Sequence, residues 1–257
     1  MRLDIALVKN GYFDSRQKAL EAIKGGLISI DSTPITKPAF ALSETSSISI
    51  KNDCKIYVSR SALKLKEFLQ DLGVKRNFGR GKKAIDVGAS RGGFSEVLLE
   101  FDFECVTCVD VGSNQLHSKL KQNPRIQYFE NCDIREFIKQ YKIKSKDFIL
   151  LDSSVRAESK PFDLLVCDVS FIGLEKIFYA LEILSTEMIL LYKPQFEVGK
   201  NHRRNKKGVL ICDEAVQKGL TDFKHYLEQR GFCISCVAQS RIKGKQGNAE
   251  FFIHIKK

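Results

Sequence analysis

Three stretches of the chain hold side chains that could do chemistry together. The first is Gly88-Ala89-Ser90-Arg91-Gly92-Gly93, which follows the short apolar run Ala84-Ile85-Asp86-Val87. Glycines there let the backbone turn sharply and approach a ligand that a Cβ would hold off. Asp86, two residues before the first glycine, would repel a pyrophosphate but not a cation. Asp110 closes a second apolar run, Cys105 to Val109, and an acid at that place suits the two donors of a ribose diol. A ligand that is cationic at one end and carries a ribose points to S-adenosyl-L-methionine. The expected cofactor residues are Asp86, Gly88, Ser90, Gly92, Gly93, Phe94, Asp110 and Asp133. The second stretch is Phe162 to Cys167 closed by Asp168, and the third is Met188 to Tyr192 closed by Lys193. Such a donor already carries an activated methyl carbon, so an oxygen acceptor needs only to lose its proton. Lysine can take that proton if its pKa is brought down by burial or by a second cation; an adjacent carboxylate would orient the amine but pull the other way. The residues alone leave open which effect wins.

The elements that must position these groups follow from the apolar pattern. Ala84–Val87, Cys105–Val109, Ile126–Phe129, Phe162–Cys167, Met188–Tyr192, Cys233–Ser240 and Phe251–Lys256 read as strands. Helical text lies at Ser59–Leu69, Phe94–Leu99, Ile134–Tyr141, Leu174–Leu184 and Asp213–Gly231. Strands alternating with helices predict an α/β fold: a Rossmann-like parallel sheet with helices on both faces and ligands at its strand ends. Asp86, Asp110, Asp133, Asp168 and Lys193 all fall at or just beyond those ends.

At 257 residues and 43% hydrophobic content, the chain can bury one or two cores. Its formal charge of +11 favours a polyanionic partner, without separating nucleic acid from an acidic membrane surface. No apolar stretch nears the roughly 18 residues of a bilayer span, and the charged start MRLDIALVKN reads as no signal peptide. Eight cysteines include two C-x-x-C pairs, Cys105/Cys108 and Cys233/Cys236. Both pairs lie in strand text, where residues three apart face opposite ways, so no metal site is expected and reduced, cytoplasmic thiols are.

Residues 1–50 form a separate α+β module: a helix from Leu3, a second helix over Arg16–Lys24 capped by Asp14 or Ser15, then short β pieces. The run Arg16-Gln17-Lys18-Ala19-Leu20-Glu21-Ala22-Ile23-Lys24-Gly25-Gly26-Leu27-Ile28 resembles the ribosomal-protein-S-four-type RNA-binding domain. That resemblance implies RNA contacts from Arg2, Arg16, Lys18 and Lys24. Residues 51–58 read as a linker, and 59–257 as the second domain.

There the resemblance is to FtsJ-type ribose methyltransferases, which carry a Lys-Asp-Lys-Glu tetrad. The matching text is Ser59-Arg60-Ser61-Ala62-Leu63-Lys64-Leu65, Cys167-Asp168-Val169-Ser170-Phe171, Tyr192-Lys193-Pro194-Gln195-Phe196-Glu197 and Gly247-Asn248-Ala249-Glu250-Phe251. It implies catalytic Lys64, Asp168, Lys193 and Glu250, with Lys193 as base. The pairing of the two domains looks like the TlyA family, whose members methylate cytidine 2′-oxygens of ribosomal RNA and are often labelled haemolysins. By that resemblance the partner is ribosomal RNA, large subunit first and small subunit second, and the chain works in the cytoplasm. Arg60 and the basic loop with Lys200, Arg203, Arg204, Lys206 and Lys207 are expected to grip phosphates. Arg91 and the length of the 145–161 stretch depart from the family pattern. Rival readings are a non-catalytic RNA-binding protein, a membrane-active haemolysin and a base methyltransferase.

Overall fold

A computed structural model describes residues 1–13, 15–43, 45–50, 57–139, 160–199, 202–206 and 208–257. Two compact units divide it, Met1–Ile56 and Tyr57–Lys257.

In the first unit, α1 (Leu3–Lys9) and α2 (Arg16–Lys24) pack on a sheet of β1 (Ile28–Ile30), β2 (Thr33–Pro34) and β3 (Ile48–Ile50), in the order β2-β1-β3, all antiparallel. Ser15 caps α2 by accepting the Lys18 amide; Asp14 lies outside the described residues. Leu3, Leu7, Ala19, Ile23 and Ile28 form the small core. Asp4 is fully buried beside it and is held by Arg2 at 3.0 Å and Arg16 at 2.8 Å.

The second unit is built on β4 (Lys83–Val87), β5 (Cys105–Val109), β6 (Ile126–Phe129), β7 (Leu164–Cys167), β8 (Glu187–Tyr192), β9 (Cys233–Gln239) and β10 (Phe251–Lys256). Its seven strands run in the order β6-β5-β4-β7-β8-β10-β9. Helices are α3 (Ser61–Asp71), α4 (Gly93–Glu100), α5 (Ser118–Lys121), α6 (134–139), α7 (Glu175–Leu184), α8 (Pro194–Glu197) and α9 (Asp213–Gln229). Strands buried on both faces explain the unbroken apolar text of β7 and of Met188–Tyr192 in β8. Alternate residues feed two cores: Ile85, Leu165 and Leu190 enter one, Ala84, Val166 and Ile189 the other.

Two features differ from the sequence reading. The sheet is mixed, because β10 runs antiparallel to both β8 and β9. A parallel return usually carries a crossover helix, and the 240–250 connection between β9 and β10 holds none. The second unit also begins at Tyr57, with Tyr57 and Val58 buried in its core rather than lying in a polar linker. Residues 51–56 and 140–159, which include most of the 145–161 stretch, lie outside the described residues.

Candidate active site

The strand order reverses beside β4, which pairs with β5 on one side and β7 on the other. A crevice at the carboxyl ends of the strands is the expected consequence. A cavity of about 310 Å³ lies there, lined among others by Gly88, Ser90, Asp110, Asp133, Asp168 and Phe171. Val111, Gln115, Cys132 and Ser170 also line it, and the sequence reading gave none of these four a role.

Gly88 turns the chain out of β4 at φ +81°. A Cβ there would sit 2.9 Å from the Asp168 carbonyl oxygen, so only glycine lets the β4 and β7 ends come this close. Gly92, Gly93 and Phe94 do not line the cavity. Gly92 has φ +88°, and a Cβ on it would overlap Leu116 and Leu120. A Cβ on Gly93 would overlap the Ser59 and Ser61 hydroxyls, so this glycine lets α3 lie on α4. Phe94 is buried against Phe252. These three support the loop from behind.

Asp86 also faces away from the cavity and is fully buried. Its Oδ2 accepts the Ser95 amide at 2.9 Å and the Ser95 hydroxyl at 2.5 Å, so it caps the start of α4 from the neighbouring strand. Burial pushes its carboxyl up to about 7, and Asp168 and Asp110 add to that. The hydrogen bonds of Asp86 thus go to Ser95 at the start of α4.

Asp110 accepts the Ser90 amide at 2.7 Å and the Gly112 amide at 2.6 Å, one on each oxygen, which leaves acceptor capacity on both. Asp133 is gripped by Arg135 through two bonds of 2.8 and 2.6 Å, and that guanidinium holds its carboxyl below the usual range. Ser90 donates its hydroxyl to Gln115, fastening the glycine loop to the loop after β5. Arg91 donates to the Val58 carbonyl, and Glu96 accepts the Val58 amide at 2.7 Å. The arginine that departed from the family pattern thus ties residues 57–58 to the glycine loop.

The four residues expected to be catalytic come together in two short ion pairs. Lys64 Nζ lies 2.6 Å from Glu250 Oε2, and Lys193 Nζ lies 2.5 Å from Asp168 Oδ1. Lys193 also donates to the Ser170 hydroxyl at 2.9 Å. Burial raises the Asp168 carboxyl, and the charges of Lys193 and then Lys64 oppose that shift. The two pairs therefore share one electrostatic neighbourhood. Phe68, four residues after Lys64 on α3, stacks on Phe252 at 4.6 Å, which brings α3 against β10.

The segment between β7 and α7 is clamped from α8. Glu197 accepts the Leu174 amide on both oxygens, at 3.1 and 3.0 Å, and burial pushes its carboxyl up to about 7. Phe196 meets the Phe171 ring at 5.2 Å. Phe171 is 91% exposed and holds φ +68°, a left-handed conformation that costs a bulky residue energy. No sequence pattern announces that strain.

Of the residues expected to bind RNA, Arg2 and Arg16 engage Asp4, Lys18 is half-buried and Lys24 is exposed. In the second unit Arg60, Arg203 and Lys206 are exposed. Arg204 donates to the Gln195 and Gly199 carbonyls and so braces its own loop. Lys200 and Lys207 lie outside the described residues. Among the described residues no cluster of three or more His, Cys, Asp or Glu could hold a metal, and no helix is long and apolar enough to cross a membrane.

A glycine turn at the sheet's switch point, with two lysine–carboxylate pairs on its rim, defines a methyltransferase of the FtsJ-like class. Residues 57–257 match the FtsJ-like methyltransferase family and residues 1–48 the S4 domain. A curated relative from Campylobacter jejuni, 23S rRNA (cytidine-2′-O)-methyltransferase TlyA, is 43% identical over 79% of this chain and 72% of its own length. The 16S/23S rRNA (cytidine-2′-O)-methyltransferase TlyA of Mycobacterium tuberculosis is 32% identical over 99% of this chain and 89% of its own. Hemolysin A of Brachyspira hyodysenteriae is 30% identical over 99% of both chains. A solved hemolysin-named protein from Streptococcus thermophilus superposes with a TM-score of 0.65 at 28% identity, covering 100% of this chain and 88% of that one. The chain belongs to the TlyA family.

Proposed function

We propose that this chain transfers a methyl group from S-adenosylmethionine to the 2′-hydroxyl of a cytidine in ribosomal RNA. The large-subunit RNA is the first expected substrate and the small-subunit RNA the second, following the relatives' activities. Such a substrate places the activity in the cytoplasm. The observation that carries the reading is the convergence of Lys64–Glu250 and Lys193–Asp168 beside the cavity.

The cavity falls in the size range of small-molecule sites. Asp110 has the acceptor capacity a ribose diol needs, Gly88 and Ser90 form one wall, and Val111 adds an apolar surface. Asp133 completes the polar lining. These residues would hold the donor, which when bound supplies an electrophilic methyl carbon. Lys193 takes the proton of the ribose 2′-hydroxyl. Asp168 and Ser170 fix its Nζ in place. Lys64, anchored by Glu250, places a second positive charge in the neighbourhood of Asp168. The exposed Phe171 ring offers the cytosine a face to stack on. The S4 domain recruits structured RNA.

The test is radiolabelled methyl transfer to purified ribosomal RNA and subunits, with the modified nucleotide mapped and digested. Lys193→Ala is expected to lower turnover by about 10²–10⁴-fold, the usual contribution of a positioned base. Methyl found on the base, or turnover undiminished in the variant, would overturn the proposal.

A further inference from the structure

A second loop meets the tetrad. Residues 240–250 connect β9 to β10 and carry Arg241, Lys243 and Lys245. The loop is internally fixed: Ser240 donates its amide to the Glu250 carbonyl at 2.8 Å, Gly244 to Asn248 at 2.9 Å and Gly247 to Gly244 at 2.8 Å. Gly247 takes φ +103°, which closes this turn. Gly244 is buried directly on Glu250, since a Cβ there would lie 2.5 Å from Oε1. Whatever is held at Gly244 is therefore held at the edge of the Lys64–Glu250 pair.

Lys243 and Lys245 flank that point, and both are exposed. Among the described residues neither has a carboxylate partner, whereas Arg241 on the same loop is paired with Asp71 at 2.8 Å. The loop also joins the basic segment before α9. Asn248, only 3% exposed, accepts the Leu210 amide at 3.0 Å, and Leu210 pairs with Arg204 in an isolated antiparallel bridge. Exposed Arg203 and Lys206 thus sit on a segment hydrogen-bonded to the loop that carries Lys243 and Lys245.

A nucleotide inside an RNA strand has a phosphate on each side of its ribose. An enzyme acting on that ribose must meet both anions close to its catalytic groups. We propose that Lys243 and Lys245 grip the two backbone phosphates flanking the target ribose, with the strand laid over Gly244. This rests on the ribose-methylation reading and names the backbone-binding part of that same site. Glycine at 244 keeps the loop low enough on Glu250 for the sugar to reach the tetrad.

The test uses the full-length chain and a transcript of large-subunit ribosomal RNA, with equilibrium binding measured across a salt series. Lys243→Gln/Lys245→Gln is expected to weaken binding at low salt at least tenfold. It should also reduce the slope of log affinity against log salt by about 1.4, since each single-strand phosphate left without its lysine removes ~0.7. Lys243→Arg/Lys245→Arg should keep the parent slope, which separates charge from folding. The solvent-facing Lys218→Gln serves as control. The proposal is overturned if the slope of the double variant equals the parent's, if Lys218→Gln reproduces the loss, or if only binding to anionic lipid vesicles changes. Should the parent chain bind RNA with a normal slope yet transfer no methyl group, the ribose-methylation reading fails while this measurement still decides the role of the two lysines.

Discussion

Removing one member of the Lys64–Glu250 pair should cost more stability than removing both. The two side chains are 8% and 4% exposed and 2.6 Å apart. An exposed ion pair contributes about 1 kcal/mol or less, but a buried charge stripped of its partner costs roughly 3–5 kcal/mol. The surroundings make the two single losses unequal. Glu250→Met leaves Lys64 with the Asp168 carboxylate still nearby, so the loss should fall at the low end of that range. Lys64→Met leaves Glu250 and Asp168 repelling each other with only Lys193 to offset them, so the loss should fall at the high end. In Lys64→Met/Glu250→Met no buried charge is orphaned. The double variant should therefore lose less than either single variant.

For a unit of this size each kcal/mol moves the midpoint by about 2–4 °C. The single variants should thus melt roughly 6–20 °C below the parent. Urea unfolding at 25 °C, followed by near-ultraviolet circular dichroism on the transition of the second unit, gives the four free energies of the cycle. If the two single losses add to the double within about 0.5 kcal/mol, the pair is not coupled and the reasoning fails. A stable double variant without methyl transfer would further separate the pair's work in folding from its work on substrate.

Asp86 should make stability fall as pH rises. Its folded pKa of about 7 lies above the ordinary value of 3.8, so the folded state keeps a proton that the unfolded chain has released. The contribution is full below about pH 4, declines between about 4 and 7, and is constant above, a span of roughly 4 kcal/mol. Asp86→Asn should flatten that part of the profile, and equal slopes in variant and parent over pH 4–7 would contradict it. Gly88→Ala should lower kcat about 10²-fold, because a Cβ at φ +81° would press on the Asp168 backbone and shift the carboxylate that fixes Lys193. Single-turnover rates at saturating substrate would show it, and a rate equal to the parent's would refute it.

What could be read from the chain alone depended on distance along it. Asp168 and Lys193 close unbroken apolar runs, so their place at one rim follows from local pattern and parallel pairing. Lys64 and Glu250 are 186 residues apart, and neither periodicity nor charge pattern joins them; only a family likeness did. The bond between Asp86 and Ser95 is equally hidden. An acid before a glycine loop looks like a ligand contact, but the same spacing brings it under Ser95 at the start of α4. Gly92 and Gly93 are legible as glycines that permit close approach, and the side chains that approach them are Leu120 of α5 with Leu116 before it, and Ser59 and Ser61 at the start of α3. The Phe171 strain and the Glu197 cap arise from the meeting of two segments, which no window of residues contains.

The antiparallel strand is what makes the site possible. In a parallel sheet the residue following each strand reaches the functional rim, which places Asp168 after β7 and Lys193 after β8. Glu250 precedes its strand, so in a parallel strand it would sit at the opposite edge of the sheet. Because β10 is reversed, the register that pairs Phe251 with Tyr192 carries Glu250 to the level of Lys193. Two residues on, Phe252 shows the same face of β10 as Glu250, and on α3 Phe68 shows the same face as Lys64. One face-to-face meeting therefore sets an aromatic stack and a buried ion pair together. A slip of one residue in β10 would turn both Phe252 and Glu250 to the other side. The packing that stabilises this corner of the core is thus the same packing that delivers the carboxylate to Lys64, and selection on either would preserve both.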